Sequence, residues 1–341
     1  MSSSRRHTLG TAMLMALGSS PTTGQVRVLV TSVGYESPTL VAPVVLLSFV
    51  SASGTGMWTL GVAGYTLAAS RITNHSPTLS TVFTAEVTPL NSNSSNYLYR
   101  AGERDSTLAF RDATVQLNVG LRVSKEGKRS RWGLEFRAIG LNEWVSRVAD
   151  PSVVSRWRDP YVGLQIAANY SRVISEEVLA ARWDGMKAGA NVVGFVGAQP
   201  WWKSQAWLGG GKRVGRVSIM GRAWLLLGQN LDMVNQHLVG GSWDLDRSPS
   251  LYGYHYAEFR VNRGAVLTAG ADLRLAGAWE LGLRAGYLSS PSHSTYGEAI
   301  RLSTMWSGIA FHIGVGLPRA SLFRHEVDAP LVFAGMSAAV L

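Results

Sequence analysis

Cysteine is absent from this chain of 341 residues, which excludes a disulfide framework, thiolate chemistry and a cysteine-borne lipid anchor. Long hydrophobic runs are absent as well. The longest, residues 40–50, is about half of what a membrane-spanning helix requires, so no helical span is present. Charge is sparse, at 16% of residues against 46% hydrophobic, and a chain this apolar is not disordered. The 37 glycines weaken helix interiors and suit tight turns and strand crossings, which argues against a mostly helical protein. The seven histidines (His7, His75, His237, His255, His293, His312 and His325) are scattered. No pair has the spacing of a metal site, and neither a metal nor another cofactor is expected.

What the chain has is alternation. Odd-numbered residues from 113 to 123 are all apolar, and the even ones from 114 to 122 are polar or glycine. Side chains alternate faces along a strand, so one face carries Val115, Leu117, Val119 and Leu121 and the other Gln116, Asn118 and Arg122. The same period recurs over 132–138, 162–170, 267–275, 279–287 and 309–317, with Glu135, Arg137, Asp272, Arg274, Glu280 and Arg284 standing between apolar neighbours. Half-buried strands of a soluble domain can carry such charges on a wet outer face. Roughly a dozen such segments, however, supply more apolar surface than one soluble core uses, whereas a membrane barrel turns every apolar face to lipid and gathers the charges in its lumen. The reading is an all-β protein, a transmembrane antiparallel up-and-down β-barrel of about 14 strands, with 12 to 16 open.

Strands are expected over 40–50, 55–69, 77–89, 107–123, 131–141, 159–173, 178–197, 204–212, 215–228, 250–262, 264–275, 278–289, 299–317 and 329–341. Residues 26–34 form either one more strand or an N-terminal plug. Long connections at 91–106, 145–159 and 229–249 contrast with short ones at 125–130, 212–215 and 276–278, as in barrels with long loops at one end. A miscounted strand is expected near 77–106. No linker divides residues 26–341, which form one domain. Ahead of it, Arg5, Arg6 and His7 precede a short apolar run and small or polar residues, a pattern that resembles a secretory signal peptide over 1–25.

The formal charge is +10, yet the basic residues line no helix. Lys125, Lys128, Arg129 and Arg131 surround one turn and Lys212, Arg213 and Arg216 another, so a membrane surface or an anion-attracting lumen accounts for them better than nucleic acid. Trp132, Tyr170, Trp279 and Tyr287 stand near strand ends, where interface girdles belong. Arg122, Glu135, Arg137, Asp272, Arg274, Glu280 and Arg284 are candidates to line the lumen, as a transverse field or as ion pairs that hold a small barrel shut. Around His255, Tyr252, Tyr254, Tyr256, Glu258 and Arg260 share one face of the expected strand 250–262. That face is either a ligand-contact ladder inside the barrel or an outward interface girdle. Catalysis is not expected, because Asn74, His75 and Ser76, like His293 and Ser294, fall in Pro-flanked loops. Residues 209–213 lack the glycine spacing of a phosphate loop and read as a hairpin turn.

With its signal-like N-terminus, its dyad-repeat strands, its candidate girdles and a final strand at its C-terminus, the chain resembles a Gram-negative bacterial outer-membrane β-barrel over residues 26–341. In size and strand number it is similar to porin-like and fatty-acid-transporter barrels, and it departs from such barrels in ending on Leu341 where an aromatic residue is usual. The resemblance implies export through the inner membrane, insertion by the barrel-assembly machinery and contact with outer-membrane lipids and lipopolysaccharide. Passage of small solutes is the leading function it implies. A hydrolase on a barrel scaffold and a structural or adhesive barrel are the alternatives.

Overall fold

The computed structural model describes residues 25–30, 33–34, 43–50, 56–63, 66–100, 103–148, 160–177, 182–233, 235–241, 249–255, 258–306, 309–318 and 330–338. Residues 1–24, most of the expected signal segment, lie outside the described residues. The period-two segments fold as strands, and every element of the description is one: β1 (Gln25–Val30), β2 (Val33–Gly34), β3 (Pro43–Val50), β4 (Gly56–Ala63), β5 (Thr66–Ser76), β6 (Leu79–Arg100), β7 (Glu103–Glu126), β8 (Ser130–Val148), β9 (Tyr161–Glu177) and β10 (Arg182–Val196). They are followed by β11 (Trp201–Val214), β12 (Val217–Gln229), β13 (His237–Val239), β14 (Phe259–Val261), β15 (Gly264–Arg274), β16 (Trp279–Ser289), β17 (Ser294–Trp306), β18 (Ile309–Pro318) and β19 (Leu331–Ala338).

All but β13 and β14 belong to one 17-stranded antiparallel sheet. Consecutive strands pair from β3 to β12, β12 passes directly to β15, and the ladder continues to β19. Because β1 pairs with β3 and β2 with β19, the N-terminal stretch bridges the two ends of that ladder, which returns on itself. A closed ladder leaves no unpaired edge inside a bilayer, where an unsatisfied backbone group costs several kcal/mol. Among the described residues, β2 and β19 share the pairs Gly34↔Gly335 and Val33↔Met336, and β18 and β19 pair from Ile309↔Ala338 to Gly316↔Leu331.

Several expected boundaries are corrected. The expected strand 55–69 is two, β4 and β5, and 299–317 is likewise divided between β17 and β18. Residues 26–34 belong to the wall and are not a plug. Among its described residues the expected strand 250–262 is no part of the wall; the strand they contain is β14, which pairs with β13. Counting β1 and β2 as one stave gives 16 staves, at the upper end of the expected bracket. The three long connections follow β6, β8 and β12 and so share one end of the barrel; the strand miscounted in this part of the chain is at 56–76, where β4 and β5 stand, and not near 77–106.

The expected loop at 91–106 is instead mostly strand, since β6 and β7 run for 22 and 24 residues. At about 3.4 Å per residue they are roughly 75–80 Å long, well beyond a lipid-facing band of ~25 Å. Their polar outer portion continues into water, and its register shifts near Asn91 and Ser94. In water both faces of a hairpin can be polar, so the ladder goes on where alternation stops.

The faces are sorted as the alternation requires. On β9, Val162, Leu164 and Ile166 are 63%, 69% and 49% exposed, whereas Tyr161 and Gly163 are buried. On β16, Leu283 and Tyr287 are exposed and the intervening Gly282, Arg284, Gly286 and Leu288 are buried. Trp279 and Tyr287, on the outer face of β16, stand eight positions apart. That is ~27 Å along the strand, or about 20 Å after a tilt of ~40°, near the height of a lipid-facing band. Trp132, Tyr170 and Trp279 are exposed near the tight-turn end and Trp202 and Tyr287 near the long-loop end, which places outward aromatics at both rims.

Candidate functional site

Two polar clusters occupy the inner face of the wall. On β6, β7 and β8, Glu86 accepts from Arg137 Nη1 and from Asn118 Nδ2, each at 3.2 Å, while Glu135 Oε1 accepts from Arg137 Nε at 3.0 Å. Gln116 Nε2 donates to Asn118 Oδ1 at 2.8 Å, and Arg122 stands directly across from Glu135. These groups are half-buried and tie three strands together at mid-wall.

The second cluster spans β15 to β18 and is more deeply buried. Asp272 Oδ2 accepts from Arg284 Nη2 at 2.9 Å and Oδ1 from Arg301 Nη2 at 3.5 Å, with both side chains of the first pair 2% exposed. In the registers, Asp272, Gly282 and Arg301 form one row across three strands. A Cβ at Gly282 would lie 2.5 Å from Asp272 Oδ1, so glycine there lets the carboxylate and the guanidinium meet over the middle strand. Gly270 serves Arg284 in the same way, since a Cβ there would lie 2.7 Å from Arg284 Cδ. Below the cluster His312 Nδ1 and Ser303 Oγ are 2.8 Å apart, and Arg274 Nε is 3.5 Å from Glu280 Oε1 near the tight-turn end. Arg274 therefore pairs with Glu280 and Asp272 with Arg284, an exchange of the partners that sequence proximity offers.

The third feature was not expected as such. Between β12 and β15, the described residues 230–233, 235–241, 249–255 and 258–263 do not trail outward as a loop but fold against the inner wall at the long-loop end. Val239, Leu251, Tyr254, Phe259 and Val261 from this segment pack in one buried cluster with Trp224, Leu226, Val266 and Leu288 of the wall. Leu225, Leu227, Leu267 and Tyr287, which alternate with those wall residues, are exposed, so the segment lies on the side away from lipid. Leu231 joins Ile139, Tyr161, Val193, Phe195 and Trp201 of the adjoining strands β8 to β11. Gly253, with φ of 84°, carries the chain past the end of β18, where a Cβ would come within 2.6 Å of the Leu317 carbonyl carbon.

Polar groups fix the same segment to the wall. Tyr254 Oη donates to the Tyr296 carbonyl at 3.0 Å, Lys203 Nζ to the Asn235 carbonyl at 3.1 Å, and His237 Nε2 to the Leu227 carbonyl at 2.9 Å. Within the segment, Arg260 Nη1 donates to the Met233 carbonyl at 2.6 Å and the His255 amide to Glu258 Oε2 at 2.8 Å. Burial pushes the His237 imidazole below its ordinary range; the bond to Leu227 opposes that shift and Lys203 adds to it. Tyr254, Glu258 and Arg260 are thus groups that shape the inserted segment, not a face of a wall strand; Tyr252 is buried against Ala299 and Phe333, and Tyr256 lies outside the described residues.

Sequence reading passed over Arg222, Arg301, Glu86 and Lys203. Each stands between smaller or apolar neighbours in the same alternation, so the signal is present, but a single strand over 299–317 loses the phase of its first half. His75, at the end of β5 with Nε2 2.9 Å from Thr81 Oγ1, and His293, in the turn after β16 beside Ser292, are exposed. Residues 209–213 belong to β11, and the turn is at Gly215 and Arg216. Among the described residues no group of three His, Asp or Glu could hold a metal ion.

No family model matches the chain, and no curated protein matches its sequence. Solved structures do match in fold. The Haemophilus ducreyi BamA lacking POTRA domains 1–3 superposes with a TM-score of 0.60 at 10% identity, covering 93% of this chain and 70% of its own. CdiB from Escherichia coli gives 0.51 at 15% identity, with 95% of this chain and 64% of CdiB covered. CdiB from Acinetobacter baumannii gives 0.52 at 8%, with 92% and 60% covered. The chain spans less than two thirds of either CdiB. At these identities the likeness is one of fold: an all-β, antiparallel transmembrane barrel of the Gram-negative outer-membrane kind.

Proposed function

We propose that this barrel is an outer-membrane transport protein whose lumen is closed at the long-loop end by the described part of the segment between β12 and β15, and that solutes pass when this segment leaves the wall. The observation that carries the reading is the buried cluster joining Val239, Leu251, Tyr254, Phe259 and Val261 to the inner faces of β12, β15 and β16. An open pore would leave those wall positions wet and polar; here they are Trp224, Leu226, Val266 and Leu288, matched to an apolar partner. Cations on the inner wall, among them Lys187, Lys203, Arg222, Arg284 and Arg301, outnumber the carboxylates, which favours anions in the passage. The location is supported by the outward aromatic rims and the neighbours' fold, and the route there is a signal over 1–25 followed by the barrel-assembly machinery. Lipopolysaccharide phosphates are the expected contacts of the loop end.

Purified protein in a planar bilayer tests the reading. The intact chain is expected to be nearly silent, whereas replacing 234–257 with a short Gly-Ser linker should give stable, anion-preferring current steps. The chain has no cysteine, so an L251C/G286C pair is a clean tether: a Cβ at Gly286 would lie 3.6 Å from Leu251 Cα. Oxidation should abolish residual openings and reduction restore them. A silent deletion variant, or cation-selective steps, would contradict the proposal. It assigns no catalysis to His75 or His293; hydrolysis of lipid or peptide that disappears in either alanine variant would replace it with an enzyme.

A further inference from the structure

The basic turns left unexplained by transport converge on one rim. Lys125 lies on the outer face of β7 directly across from Trp132, which in turn faces Tyr170 on β9. Two positions beyond Tyr170 on that outer face is Arg172, and on β11 Lys212 stands across from the exposed Ile219. All three cations are exposed, at the tight-turn end, immediately outside the aromatic rim. The tips behind them add Lys128, Arg129 and Arg216, and the Arg216 carbonyl accepts from the Arg274 amide at 2.8 Å, which holds two of the turns together. Among the described side chains of this end, Glu126 and Glu280 are engaged with Arg131 and Arg274, and Asp184 of β10 is half-buried.

We propose that this rim is a binding belt for anionic phospholipid headgroups of the leaflet at the tight-turn end. Amphipathic rings sit at headgroup level, and a lysine or arginine beside them lays its stem along the apolar face and brings its charge to the phosphates. An acidic protein would meet the turn tips alone. Three cations that share the lipid-facing side with Trp132 and Tyr170 fit a lipid better. The belt rests on the membrane-spanning fold and is independent of the inserted segment.

The test uses the full chain in phosphatidylcholine vesicles doped with spin-labelled phosphatidylglycerol or spin-labelled phosphatidylcholine. The fraction of motionally restricted label is expected to be several-fold higher for phosphatidylglycerol and to fall as salt is raised. In K125Q/R172Q/K212Q the two labels should become nearly equal, with the gel shift between boiled and unboiled samples retained. Should the triple variant not fold, K212Q and R172Q singly should each lose part of the preference. Equal restriction in the wild-type protein would overturn the belt and leave an acidic protein as the partner of the turns. A preference that survives all the substitutions would overturn it as well. Bilayer conductance is a separate readout, so the belt and the transport proposal fail separately.

Discussion

An inward arginine on a barrel wall either reaches into the lumen or lies flat, and the residue across from it decides which. Gly282 and Gly270 leave room for Asp272, Arg284 and Arg301 to lie flat and meet, sealed from water. Removing the carboxylate that both arginines share strands buried positive charge, so D272A is expected to cost about 3–5 kcal/mol, read as a lowered urea midpoint of the folded protein in lipid. R274Q breaks a pair whose arginine is 40% exposed and should cost no more than about 1 kcal/mol. G282V should resemble D272A, because its side chain would occupy the place of Asp272 Oδ1. Equal, small effects of D272A and R274Q would mean that water reaches the triad. The members of this cluster on β15 and β16 were legible as charges inside apolar alternation. Which charge meets which was not, because that depends on register, and register is fixed by turns that the sequence marks weakly.

Those turns explain the miscounted strands. A two-residue hairpin joins residues whose numbers sum to a constant odd value, so the outward face changes from even to odd across it. Trp58 and Leu60 are outward on β4 and Leu67 on β5, and that change of phase was the readable trace of the turn at 64–65. The inserted segment shows the opposite failure. Its Tyr252 and Tyr254 keep a strand's period, yet the backbone turns at Gly253 between them, because burial against Leu288 and Phe333 outweighs local pattern. Its docking should also respond to acid. His237 is buried with its affinity for protons reduced, so its contribution to docking is complete above its ordinary value of 6.5 and is lost as pH falls below it. Openings in the bilayer should therefore be more frequent at about pH 5 than at neutrality in the wild-type protein. H237Q, which cannot protonate there, should show no such dependence; an equal response in both would assign the effect to another group.

The whole molecule is an account of two solvents kept apart by one sheet. Apolar residues face outward between two aromatic rims, basic residues border one rim, and the described part of a folded-back segment packs on the inner wall at the other end. Among the described residues the β2–β19 pairing is the shortest in the ring, and amide exchange is expected to be fastest there among the strands outside the end turns. The separation of faces can be read directly on β9, because the chain has no native cysteine to remove. Single cysteines at positions 164 to 169, spin-labelled in lipid vesicles, should give collision rates with oxygen that peak at 164, 166 and 168. Rates with a water-soluble nickel chelate should not peak there. A profile without a period of two, or with the even positions shielded from lipid-dissolved oxygen, would contradict the barrel and everything placed inside it.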